Sequence, residues 1–327
     1  RAGGAVLYVG KAASLRHRVS GHFHARGGER ALEMLTQVRD VAATETATAL
    51  EAALLEADEI KRLAPPYNVA LAAAGRAVWF ARRDLEDLRE TPDEEHPVGP
   101  LASPAPVEAL SALRAALRAA RLLPLAARAR AVGVDPAWAP PPSCFAEGLA
   151  RFAEALPPGA GVRDFLRLGA RWWAERATGE PETDDEAERE RRGRPAWDAE
   201  RVALALEETV LRAAHAVRRA RWLVGLSECA LAWTEPGGDR RRLLVVERGA
   251  VTNRAELAPG EPLPIPPGHH RPAAERRLSF DVATLDRLRV LTTELRPLAA
   301  GAPDVEVRLG RVARLARRRL RAVLRWV

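Results

Sequence analysis

Between Thr48 and Pro65 the chain has little choice of conformation. Thr48 followed three residues later by Glu51 is a capping box, which satisfies the first unpaired amides of a helix. Leu50, Ala53, Leu54, Ala57 and Ile60 then recur at helical spacing. Pro65-Pro66 closes the segment, because the residue before a proline avoids the α region. The pattern predicts an amphipathic helix that must bury one face. Glu56 falls at the shoulder of that face, where a carboxylate can look into a cleft instead of bulk water.

Such a helix needs cover, and the residues before it offer some. Ala5-Val6-Leu7-Tyr8-Val9 follows Gly3-Gly4 and reads as a short buried strand that ends at Gly10-Lys11. A short helix carrying Leu15 and Val19 inward, a second helix over Glu29 to Gln37, and a candidate strand from Val38 to Ala43 come next. The expected class is α+β. A small sheet-and-helix domain over 1–85 precedes a mostly α-helical region over 98–223 and a small α+β region over 224–327.

Within the second region, Ala105 to Arg130 and Phe145 to Arg176 read as helix, each bounded by prolines. Arg76 to Arg82 is a further candidate strand, and 179–194 is a dense mixture of both charge signs suited to a solvated linker or an exposed helix. Trp197 to Leu223 is a long helical stretch. In the third region, Cys229 to Trp233 and Leu243 to Glu247 flank Pro236-Gly237-Gly238-Asp239, a hairpin signal, and Gly249 to Gly260 can add a strand or a turn. Helices are expected over Val282 to Leu295 and Val305 to Val327, the last rich in arginine on one side. That basic helix is either a DNA-backbone contact or a docked helix with a solvated face.

Composition removes several function classes. The 327 residues suggest about two domains. Apolar residues make up 47 % and charged residues 29 %, which excludes wholesale disorder. No apolar run reaches the roughly 18 residues of a membrane span. Cys144 and Cys229 are too few for a disulfide framework or a thiolate zinc site, so a cytoplasmic setting is expected. P-loop, G-x-S-x-G and H-E-x-x-H patterns are missing. The 51 basic residues exceed the 44 acidic ones, for a net charge of +7. Nearly all the basic residues are arginine, and the excess favours a polyanionic partner, nucleic acid first.

Four short patterns stand in order near the start. Leu7-Tyr8-Val9-Gly10-Lys11-Ala12 leads into Leu15-Arg16-His17-Arg18-Val19; Leu54-Leu55-Glu56-Ala57 follows, and then Pro66-Tyr67-Asn68. Taken singly, each has an ordinary reading: a tyrosine at a strand end, solvated helix charges, a surface glutamate, a turn asparagine. Taken together, the set resembles the GIY-YIG nuclease domain, and most closely that of the UvrC-type excision-repair endonucleases. In that family a Y-[IV]-G-K motif precedes an L-R-x-R-V helix, a glutamate helix and P-x-Y-N.

The resemblance implies a metal-dependent endonuclease that hydrolyses DNA phosphodiester bonds in nucleotide-excision-type repair. Tyr8, Arg18 and Glu56 would be the catalytic residues. Glu56 would bind Mg2+ or Mn2+, Arg18 would contact the scissile phosphate, and Tyr8 would orient or deprotonate the attacking water. Gly10, Lys11, His22 and Asn68 would support or bind phosphate, with His22 standing where relatives often carry tyrosine. DNA is the implied substrate and a repair helicase of the UvrB type an implied partner, with no membrane involved. Trp197 to Arg221 is the candidate for the family's partner-binding helical hairpin.

Some relatives sit behind a proofreading-type exonuclease domain, and the resemblance leaves open that this piece is the C-terminal part of such a fusion. The family's first motif, with its tyrosine, lies about ten residues before the second. With Tyr8 so near Arg1, that strand is expected to be missing, a strand edge left unpaired and the piece alone poorly active. Val98-Gly99-Pro100-Leu101 resembles a turn that follows the nuclease in relatives. The ribonuclease-H-like nuclease and helix-hairpin-helix motifs of the family find no match. Two other classes remain: a non-catalytic nucleic-acid-binding or partner-docking module, and a helical scaffold.

Overall fold

The computed structural model describes residues 4–24, 29–68, 76–119, 123–176, 196–235, 239–258 and 260–327. Eleven helices and two antiparallel sheets among these residues make the chain α+β. They form two compact units, each discontinuous in sequence. One comprises residues 1–77, 226–270 and 279–321; the other comprises 78–225, 271–278 and 322–327.

The first unit opens with α1 (Leu15–His24), α2 (Glu29–Gln37) and α3 (Ala49–Leu63). The capping box forms: the Glu51 amide donates to Thr48 Oγ1 at 3.1 Å. The Glu51 carboxylate accepts from the Ala47 amide, one residue before its usual partner. Leu50, Ala53, Leu54, Ala57 and Ile60 are all buried, as their spacing predicts. Ala64 closes the helix in the left-handed region (φ 44°), its amide reaching back to the Ile60 carbonyl.

Three local expectations fail here. Ala5 to Val9 forms only an isolated bridge at Ala5, and Val38 to Ala43 carries no strand. Among the described residues neither segment belongs to a sheet, so their backbone groups need other partners. Nor does Leu15 turn inward; it is 51 % exposed.

The second unit contains a three-stranded sheet of β1 (Trp79–Ala81), β2 (Leu88–Arg89) and β3 (Val98–Leu101) in the order β2-β1-β3. The helices α4 (Ala105–Arg118), α5 (Leu125–Val132), α6 (Pro142–Ala153), α7 (Val162–Arg176) and α8 (Ala199–Leu226) follow. Leu110, Leu113, Phe145, Phe152, Phe165, Val202, Leu206 and Val210 share one core. The stretches expected as single helices are broken at Pro124 and at Pro157-Pro158-Gly159, where proline cannot continue the backbone ladder. The charged run over 179–194 lies outside the described residues. Residues 199–226 make one unbroken helix, not the two antiparallel helices of a hairpin.

Returning to the first unit, β4 (Cys229–Thr234), β5 (Arg241–Glu247), β6 (Ala250–Leu257), β7 (Glu306–Leu309) and β8 (Ala313–Ala316) form a sheet ordered β6-β5-β4-β7-β8. β4 and β5 are the expected hairpin pair, although residues 236–238 of its turn lie outside the described residues. A short helix, α9 (Ala273–Arg277), precedes α10 (Val282–Gly301), which packs against α3. Asp286 on α10, nearly fully buried, takes both Lys61 of α3 and Arg76. A second pair joins Arg287 to Asp58 at 2.8 Å. Burying a carboxylate is tolerable only with partners this close.

The terminal helix expected over Val305–Val327 is shorter. Gly310, at φ 75°, turns the chain into a hairpin, and only α11 (Arg317–Leu324) is helical. Val305 and Val307 are buried while Glu306 and Arg308, the residue after each, are half-buried, a two-residue alternation that favours strand. Several of its arginines hold structure instead of facing solvent. Arg308 donates to the Leu263 carbonyl at 2.7 Å, Arg314 pairs with Glu306, and Arg317 donates to the Ala299 carbonyl at 3.0 Å. No helix among the described residues is long and apolar enough to cross a membrane.

Candidate active site

Residues 6–10 lack a ladder and are held instead by the turn that follows α3. The Tyr67 amide donates to the Leu7 carbonyl at 3.2 Å. The Asn68 side chain then grips Val9 from both sides: Oδ1 accepts from the Val9 amide and Nδ2 donates to the Val9 carbonyl, each at 2.8 Å. A primary amide carries one acceptor and two donors, so it can stand in for the backbone of a neighbouring strand. The turn is itself fixed. Gln37 Nε2 donates to the Tyr67 hydroxyl at 2.7 Å, and Arg30 donates to the Pro66 carbonyl at 2.8 Å with its guanidinium over the Tyr67 ring. Burial, followed by the charge of Glu33, pushes the Tyr67 phenol above its ordinary value, so it stays protonated.

The segment so held brings Tyr8 to one wall of a cavity of about 870 Å³. Arg18 donates from Nη2 to the Tyr8 hydroxyl oxygen at 2.8 Å. His22, one turn further along α1, meets the Tyr8 ring edge-on with centroids 5.4 Å apart. Its Nε2 is buried without a partner among the described residues. Gly10 is needed for its missing side chain: a Cβ there would stand 2.7 Å from Tyr8 Cε1, well inside contact distance.

Glu56 lines the same cavity from α3, half-buried, with Oε1 accepting from the Lys11 amide at 3.1 Å. The Lys11 ammonium is paired with Glu294 of α10. Tyr8, Gly10, Lys11, Arg18, His22 and Glu56 are thus gathered around one cavity, while Asn68 acts on it through Val9.

Other carboxylates line the cavity that the sequence reading passed over: Asp40, Glu45 and Glu59. Glu59 lies one helical turn beyond Glu56, a spacing that marks it for the same face; its carboxyl is held below the ordinary range by hydrogen bonds from Arg62. No local signal could reveal Glu294, which lies 283 residues from Lys11. Among the described residues no group of three His, Cys, Asp or Glu side chains is placed to cage a metal ion. A single carboxylate ligand such as Glu56 in an open cavity suits a hard divalent cation that keeps most of its waters.

Residues 1–69 match the family model for the UvrC-like GIY-YIG domain. The UvrABC system protein C of Alkalilimnicola ehrlichii is 51 % identical over 86 residues, covering 26 % of this chain and 14 % of that protein. The corresponding protein of Zymomonas mobilis is 46 % identical over 69 residues, 21 % of this chain and 10 % of its own length. That of Neisseria gonorrhoeae is 47 % identical over 68 residues, 20 % and 11 % respectively. The chain therefore spans a small part of the relatives it matches. No solved structure matches it. Residues 1–69 are a UvrC-like GIY-YIG domain.

Proposed function

We propose that this domain is a metal-dependent endonuclease acting on DNA phosphodiester bonds, with nucleotide-excision-type incision as its setting. The observation that carries the reading is the shared cavity of Glu56 and the hydrogen-bonded pair of Arg18 and Tyr8. A guanidinium tied to a phenol and sharing a cavity with a half-buried carboxylate suits a phosphodiester: the cation takes the phosphate and the carboxylate can hold a counter-cation.

Glu56 is the residue that would hold Mg2+ or Mn2+, since Oε1 is engaged by one amide and the second oxygen can face the cavity. When bound, the ion supplies Lewis-acid charge at a phosphoryl oxygen. The chain's own groups do the rest. Arg18 binds the phosphate and offsets negative charge that grows in the transition state. With its oxygen accepting from Arg18, Tyr8 is positioned to orient the attacking water. His22 holds the Tyr8 ring at a fixed tilt. Asn68 fixes the depth of Tyr8 through Val9, and Gly10 leaves room for the ring.

The test is single-turnover nicking of a lesion-bearing duplex by the 327-residue chain with Mg2+, against Glu56→Gln and a chelator control. We expect slow nicking, abolished by chelator and reduced about a hundredfold or more by Glu56→Gln, with duplex binding retained. Nicking indifferent to Glu56 would overturn the reading.

A second reading, a nucleic-acid-binding or partner-docking module without catalysis, is favoured by the Lys11 ammonium being taken by Glu294 and by the missing ladder at residues 6–10. It predicts duplex binding with no nicking in any variant. DNA as substrate and a repair helicase of the UvrB type as partner belong to the first reading and rest on the likeness to UvrABC system protein C.

A further inference from the structure

The second unit has its own cavity, of about 330 Å³, between α7, α8 and Trp326. Arg163 and Arg167 of α7 and Arg218 and Arg221 of α8 line it, and among the described residues no carboxylate does. Among the described residues no acid pairs with Arg163, Arg218 or Arg221. Crowding like charges without counter-charges costs stability, and an anion seated among them offsets it. Arg218 is partly withdrawn from water, and burial, followed by the charge of Arg221, pulls its guanidinium below its ordinary value. The cationic run goes on past the cavity, since Arg221 also acts on Arg277, which in turn feels Arg83.

Aromatic rings stand beside these charges. Trp173 stacks on His215 with centroids 5.1 Å apart and planes 20° from parallel. Trp326 lies 6.0 Å from Trp173 and carries the Arg218 guanidinium 4.2 Å from its ring centre. Trp173 Nε1 is buried with no partner among the described residues, a donor that lacks the acceptor such groups nearly always find. Phosphate-binding cations and flat π surface in one cavity are what a nucleotide requires. The volume is near the lower end for ligand pockets, room for about one base.

We propose that this cavity holds one unpaired nucleotide of a single-stranded DNA, its phosphates on the four arginines and its base against the Trp173 and Trp326 rings. A strand is favoured over a free nucleotide because positive charge extends past the cavity to Arg277 and Arg83. The inference does not depend on the nuclease reading, and Glu56→Gln should leave it untouched.

The test is fluorescence anisotropy of a labelled oligothymidylate of about 12 nucleotides with the full chain, over a salt series. The double variant Arg218→Gln/Arg221→Gln is expected to weaken binding at least tenfold and to lower the salt slope by about two. Trp326→Phe should bind within threefold of the parent, while Trp326→Leu loses about tenfold. A 5-iododeoxyuridine strand should photo-crosslink to Trp173 or Trp326, a readout that does not depend on any variant folding. The proposal is overturned by an abasic strand that binds as well as oligothymidylate, by crosslinks that map elsewhere, or by the arginine variant binding like the parent. Thymidine monophosphate competing as well as the strand would assign the cavity to a free nucleotide and overturn it equally.

Discussion

Residues 6–10 and strand β4 are both short, extended and largely apolar, and they are held by opposite means. β4 is the middle strand of its sheet, paired on one side with β5 and on the other with β7, and its residues from Cys229 to Trp233 are all buried. Cohesion there is spread over many main-chain hydrogen bonds and over side chains such as Ala230 and Ala232, which pack with Leu243, Val245 and Leu263. Residues 6–10 hang on one amide side chain and one turn. A ladder distributes load, so the loss of any one polar group is a small fraction of the total. A clamp concentrates it, and the cost of that economy is sensitivity at single positions that lie next to the catalytic candidates.

The largest effect expected from this contrast is in the ladder, through packing and not through hydrogen bonds. Leu231 is fully buried, and Leu231→Ala should cost about 3 kcal/mol from lost burial and the cavity left behind. Urea denaturation would show a lower midpoint, and nicking per folded molecule should be unchanged. A loss of nicking out of proportion to the loss of folded protein would show that the sheet and the Tyr8 segment are not separable in the way described.

Asn68→Ala comes next. It removes the partners of both Val9 backbone groups, at about 1–2 kcal/mol given that the segment is only half-buried and water can partly replace them. The loss should be local. Amide exchange at Val9 should speed up at least tenfold while the amides of β4 keep their protection, and nicking should fall because Tyr8 loses its depth. Unchanged exchange at Val9 would mean that some other contact carries the segment.

This contrast also separates what the sequence reveals from what it hides. Periodic signals translate well: the five buried residues of α3, the Thr48 cap, the bounds of α2 and the β4–β5 pairing all rest on local spacing. The order of Tyr8, Arg18, Glu56 and Asn68 was legible as a family pattern. Hidden were contacts between distant positions with no periodicity. Asp286 gathers Lys61 and Arg76, and Glu294 withdraws the Lys11 ammonium, from a helix more than two hundred residues away. The Ala/Leu/Arg character of residues 305–327 read as helix because apolar residues happen to fall at helical spacing. Gly310 and the alternation around Val307 decided otherwise. The Trp173 and Trp326 cavity went unseen for the same reason as Asp286: its walls come from separate segments.

The smallest effect expected, and the sharpest test of clamp against ladder, concerns a second clamp that titrates. In the second unit His96 is fully buried after the two-residue strand β2. It joins Asp93 Oδ1 through Nδ1 at 2.7 Å and Asp87 Oδ2 through Nε2 at 3.0 Å. Both nitrogens can donate only in the imidazolium. The hydrogen bond to Asp93 first, and that to Asp87 after it, hold the imidazole above its ordinary value against the opposing effect of burial. Because the folded value is raised, the stabilisation is fully present below the unfolded value of about 6.5 and is lost as pH rises through the folded one. Asp87 and Asp93 are held below the carboxylate range, chiefly by the same histidine, with Arg89 adding its charge beside Asp87. Their share is present above about 3.9 and is lost as pH falls through their depressed values. The clamp is therefore strongest between about pH 4 and 6.5. Exchange at the Glu95 and His96 amides, which donate to Asp93, should grow on the alkaline side beyond the intrinsic rate. His96→Gln should flatten that excess. The Asn68 clamp holds Val9 with an amide that does not titrate, so its protection should stay level across the same range; a pH-dependent loss at Val9 would show that the two clamps are not the same device.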